Sequence, residues 1–117
     1  MQPINRSAVI ITAKQAFFDK IAELSGEEAM KENELNEKMD ASTVYLIPND
    51  IPDQDSFWDY LKRNYIPILL AEFESWYNLS QDWTKRVTFK EFKSWFTISY
   101  QSMIFDILEN GLEHEDY

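Results

Sequence analysis

A chain of 117 residues that is 44% hydrophobic and 15% aromatic, with two glycines and four prolines, has the makeup of one globular domain rather than of a linker or low-complexity segment. Having no cysteine, it excludes disulfides, zinc–thiolate sites and thiol nucleophiles. Its net charge of −10, from 21 acidic and 11 basic residues, repels phosphate backbones and anionic lipid, so neither nucleic acid nor a membrane is an expected partner.

The start, MQPINRSAVIITAK, lacks the basic residues followed by an apolar run that mark a signal peptide. No apolar run approaches the ~20 residues that cross a bilayer, and a soluble cytoplasmic protein is expected. Within SAVIIT, residues 7–12, the β-branched Val9, Ile10 and Ile11 predict a buried strand. Phe17, Ile21 and Leu24 then recur on one helical face with Phe18 beside it, and Gly26 is a suitable stop. Residues 26–42 form an acidic, solvated connection in which Leu35 and Met39 could anchor a short helix near 33–39.

TVYLIP, residues 43–48, is the clearest strand, closed by Pro48. After the acidic turn NDIPDQDS, either Asp53 or Asp55 can cap a helix reaching about residue 78. Pro67 falls inside it, lacks an N–H and clashes with the Arg63 carbonyl, which predicts a kink or a division. Thr88 and Glu91 have capping-box spacing, opening a helix with Phe89, Phe92 and Trp95/Phe96 on its apolar stripe. From residue 97 the pattern fits strand or helix, and its β-branched and aromatic content favours a strand to about Leu108. Residues 109–117 read as a loose acidic tail.

The order β-α-β-α-α-β predicts one α+β domain over residues 1–117. Its mixed sheet would have about three strands with helices packed mainly on one face. The first β-α-β would be a right-handed crossover joining parallel strands.

TVYLIP with its acidic loop, then FWDYLKRNY and WY, then FKSWFTISYQSMIFDIL, resembles a family of small acidic uncharacterised bacterial proteins. The likeness spans about residues 8–108 and rests on structural segments. It implies a single domain and a bacterial origin, with no catalytic residue or cofactor to carry over.

Charge is unevenly spread. Residues 19–40 and 106–116 are each net −5, residues 50–59 hold four aspartates and no base, and residues 85–93 are net +3. The only histidine, His114, sits in the tail, where the geometry of a Ser-His-Asp triad is not expected. Glu72 with Glu74, Asp106, and Asp53, Asp55 and Asp59 around the long helix's start are candidate carboxylates for acid–base work, though chance proximity is common in so acidic a chain. Glu72 stands apart, because it falls near its helix's apolar stripe and if buried needs a tyrosine hydroxyl or a raised pKa. Asn49, Asp50, Asp53 and Asp55 lack the glycine and terminal glutamate of a calcium loop, and two glycines build no phosphate loop. No metal, cofactor or catalytic residue is expected.

Residues 75–96 combine three of the four tryptophans with four basic residues. Stacking surfaces for bases look like this, yet Phe89, Phe92 and Phe96 fall at core spacing, leaving Lys90 and Lys93 on a solvated rim. Trp83, flanked by Lys85 and Arg86, is the best contact candidate there, and Asp53, Asp55 and Asp59 are the acidic counterpart. The leading expectation is a non-enzymatic interaction module that engages a basic partner protein through acidic surface. A nucleic-acid mimic is a sharper version. The alternative is a small-molecule-binding protein or small enzyme with an aromatic pocket of Tyr45, Tyr65, Glu72, Trp76 and Tyr100 near the kinked helix. A third reading is self-association through strand edges or exposed aromatics.

Overall fold

The computed structural model of the chain describes residues 1–29, 31, 42–75 and 86–115. Three β-branched residues in succession place Arg6–Ala13, strand β2, at the centre of a three-stranded sheet. Ser42–Pro48 (β3) lies on one side of it and Phe96–Gln101 (β4) on the other. Alternation decides the faces. Ser7, Val9, Ile11 and Ala13 point into the core, with Tyr45 and Tyr100 directly opposite Val9 on either side. Ala8, Ile10 and Thr12 point to the other face, level with Leu46, Val44 and Ser42.

Both pairings are antiparallel, which corrects the expected parallel crossover and mixed sheet. Crossover handedness follows only when a helix returns the chain directly for a parallel strand. Here residues 26–41 separate the first helix from β3, and at ~3.3 Å per residue such a length reaches either end of β2. A second ladder pairs Gln2–Pro3 (β1) with Phe105–Asp106 (β5), and the Ile4 N–H extends it to the Ile104 carbonyl at 2.9 Å. The last stretch is therefore strand, as expected, but interrupted between Gln101 and Phe105.

Helix α1, Gln15–Ser25, ends where Gly26 takes φ 77°, a left-handed conformation that favours glycine, and donates its N–H to the Ala22 carbonyl. Phe17 and Phe18 are its sealed residues, with Ile21 and Leu24 half-buried beside them. The main-chain N–H of Lys14 donates to the Trp95 carbonyl at 2.9 Å, tying the β2–α1 corner to the junction where the last helix meets β4.

Helix α2, Gln54–Glu74, starts at Asp53, whose carboxylate accepts the Ser56 N–H at 2.8 Å. Phe57, Leu61, Ile68, Leu69, Glu72 and Phe73 form its buried stripe. The helix runs through Pro67 without dividing. Pro67 and Arg63 are both exposed, so water can satisfy the carbonyl that loses its helical donor. The residues beyond Ser75, where the helix was expected to continue, lie outside the described residues, as does the helix expected near 33–39.

Helix α3, Phe89–Trp95, carries the complete capping box. The Thr88 hydroxyl accepts the Glu91 N–H at 3.1 Å, and the Thr88 N–H donates to the Glu91 carboxylate at 3.3 Å. Strand β4 begins immediately at Phe96. The helices cover one face of the sheet in a largely aromatic core. The Phe17 ring centroid lies 5.0 Å from that of Phe73 and 4.7 Å from that of Phe96, and Phe57 stacks on Tyr100 at 4.7 Å. Each such ring contributes about 1.5–3 kcal/mol by its burial.

Candidate functional site

The two sets of carboxylates end in opposite environments. Asp53, Asp55 and Asp59, with Asp50 before them, are exposed around the start of α2. Hydrogen bonds from the Ser56 main chain and side chain hold the Asp53 carboxyl below its ordinary value. Asp55 lies in the first turn, where the helix dipole favours negative charge, and Asp59 follows one turn later on the same side. None of the four forms an ion pair with a described residue. Arg63 reaches back to the main-chain carbonyl of Asp59 at 3.2 Å, not to its carboxylate. Among the described residues these carboxylates thus form no ion pair, although Arg63 and Lys62 stand one turn from Asp59.

Glu72 is the inward case. It is 4% exposed, and its carboxylate accepts the Tyr45 hydroxyl at 2.6 Å. Helical periodicity places Glu72 on the buried stripe of α2, and strand alternation turns Tyr45 to the same side of the sheet. Burial pushes the Glu72 carboxyl above its ordinary value, while hydrogen bonds from Tyr45 and Thr43 pull it partly back. Burial, then the neighbouring carboxylate, push the Tyr45 hydroxyl far up. A neutral phenol donating to a desolvated carboxylate is a well-satisfied core contact.

The other expected pocket residues go elsewhere. Tyr65 donates to the Val87 carbonyl and packs between Phe89 and Phe92, while Tyr100 stacks on Phe57 and points its hydroxyl at Ser7, 3.4 Å away. Trp76 lies outside the described residues. A cavity of about 350 Å³ opens instead between the β1–β5 pair and the chain beyond it, bordered by Asn5, Asp106 and Asn110. None of Tyr45, Tyr65, Glu72 and Tyr100 lines it.

Of the expected contact residues in the aromatic–basic stretch, Trp83 and Lys85 lie outside the described residues, and Arg86 is exposed beside the buried Val87. Phe92, Trp95 and Phe96 belong to the core, and Lys90 and Lys93 are exposed, in keeping with a core edge and a solvated rim. Sequence reasoning missed where Lys93 goes. Its ammonium lies 5.7 Å from the Trp58 ring centre and 5.2 Å from that of Phe89, a contact that depends on how α2 and α3 pack.

Among the described residues no group of three or more acidic or histidine side chains could hold a metal ion, and no helix is long and apolar enough to cross a membrane. Comparison with known proteins found no matching family model, no similar curated protein and no similar solved structure.

Proposed function

We propose that this protein is a cytoplasmic interaction module that binds a basic partner protein through the aspartates at the start of α2. The observation that carries this reading is the set Asp50, Asp53, Asp55 and Asp59, exposed around the start of a helix held by its own core stripe and without an ion pair among the described residues. Fixed, uncompensated charge of one sign raises encounter rates with the opposite sign and selects against like-charged partners. Glu72, the carboxylate with the perturbed proton affinity, supports this reading over a small-molecule site, because Tyr45 and the core occupy it.

Affinity capture from a lysate at low and at ~0.5 M salt tests the reading, comparing the native chain with the double variant Asp55→Asn and Asp59→Asn. A stoichiometric basic partner, held at low salt and lost both at high salt and in the variant, is the expected result. A partner indifferent to salt and to both substitutions would remove the electrostatic basis of the proposal.

A further inference from the structure

The face of the sheet turned away from the helices carries a different chemistry from the rest of the molecule. Val44 is 59% exposed and Leu46 51% exposed, and both stand on this face with Ile10 between their strand and β4. The remaining positions facing the same way are Arg6, Ala8, which is only 3% exposed, Thr12, Ser42, Pro48, Thr97, Ser99 and Gln101. Apart from Arg6 none is charged, although the chain holds 21 acidic and 11 basic residues. Arg6, opposite Pro48, marks the end of the strip.

Strand β3 borders this face as an edge. Among the described residues it pairs with β2 alone. Exposed edges are usually blunted by a charge, a bulge or a proline within the strand. Ser42–Pro48 has no charged residue, its register against β2 is unbroken, and its single proline is the last residue.

We propose that β3 is a self-association edge, and that its partner is the β3 of a second copy of this chain, paired antiparallel about a two-fold axis. Two features favour a second copy over a basic protein, and the charge of the chain bears on which face it would use. A basic partner would find no acidic group to meet on this strip. Two bodies of net charge −10 repel each other, and a face with no acidic group is where that repulsion opposes contact least. The strand is also self-complementary. With Tyr45 on the axis, Val44 of each copy falls opposite Leu46 of the other on the open face, so the two most exposed apolar side chains of the sheet cover one another. The product is a continuous six-stranded sheet with the helices of both copies on one side. An edge of seven residues is small beside the ~1,200–2,000 Å² of a standard interface, so the association is reversible and concentration-dependent.

This inference is independent of the aspartate surface, and salt separates the two. Basic-partner binding weakens as salt rises, whereas self-association of an acidic chain strengthens as its repulsion is screened. Sedimentation velocity on the purified chain from ~10 μM to ~1 mM, at low and at ~0.5 M salt, reads it directly. The expected result is a mass rising from 13.9 kDa toward twice that with concentration, and further at high salt. Val44→Lys should hold the chain at the monomer mass, Asp55→Asn with Asp59→Asn should not, and Thr97→Lys on the opposite edge should leave the association intact. Leu46→Lys repeats the test if Val44→Lys does not keep native circular dichroism. A monomer under every condition overturns the inference, as does association abolished by Thr97→Lys but not by Val44→Lys.

Discussion

The Tyr45 hydroxyl meets the Glu72 carboxylate at 2.6 Å, joining the edge strand β3 to the last turns of α2 inside the apolar core. A buried carboxylate left without such a donor would carry an uncompensated desolvation cost. Tyr45→Phe removes the donor and keeps the ring, so it should destabilise the fold by about 1–3 kcal/mol in urea unfolding. The same change made together with Glu72→Gln should cost less than it does alone, because a neutral amide is cheaper to leave partly unbonded. Equal losses in the two backgrounds would mean the hydroxyl and the carboxyl do not depend on each other.

Glu72 also gives stability a pH dependence of determinate sign. Its ordinary value is 4.5, and burial holds it higher in the fold. In the window between the two values the folded chain keeps a proton that the unfolded chain has released. The contribution of Glu72 is therefore fully present below 4.5 and is lost as pH rises through the raised folded value. Glu72→Gln has no proton to lose, so its stability relative to the native chain should improve as pH rises from ~4 to ~8. A difference that moves the other way would show that Tyr45 and Thr43 outweigh burial.

The capping box at Thr88 does more than start a short helix, because α3 carries Phe92 and Trp95 into the core and runs straight into β4. Thr88→Ala removes the acceptor for the Glu91 N–H and should cost about 0.5–2 kcal/mol. Thr88→Ser, which keeps the hydroxyl, should recover most of it. If serine fails to rescue, the methyl group of Thr88 rather than its oxygen holds this corner.

What the sequence made legible was local. Thr88 with Glu91, and Gly26, act on main-chain groups a few residues away, so spacing alone could place them, and it narrowed the cap of α2 to Asp53 or Asp55, of which Asp53 is the one used. Glu72 was recognisable for the same reason, since its position on a helical stripe follows from period, and a tyrosine hydroxyl was the expected kind of partner. Which tyrosine was not legible, because that depends on the register of β3 against β2. Strand direction was misread, since residues 26–41 decouple β3 from α1 and no local signal reports where a long connection returns. Strand β1 gave no signal at all: two residues, one of them Pro3, present no alternation and a residue that strands avoid. The open face was visible only as three separate strand patterns until the registers aligned Val44, Ile10 and Ser99 in one row.

Pro67 supplies the last prediction. It stands in the interior of α2, yet the helix continues from Gln54 to Glu74 around a stripe in which Leu61 and Leu69 are fully buried. Packing of that stripe outweighs a local penalty of about 3 kcal/mol for an interior proline. Because Pro67 is exposed, its ring contributes little to the core, and Pro67→Ala should return the Arg63 carbonyl its helical donor without opening a cavity. The unfolded chain gains freedom in the exchange, which gives back about 0.4–1 kcal/mol. The net expectation is a fold more stable by roughly 2 kcal/mol, which thermal unfolding would read as a higher midpoint. A lower midpoint would show that Pro67 itself sets how Glu72 and Phe73 reach the sheet, and that the proline serves the Tyr45 contact.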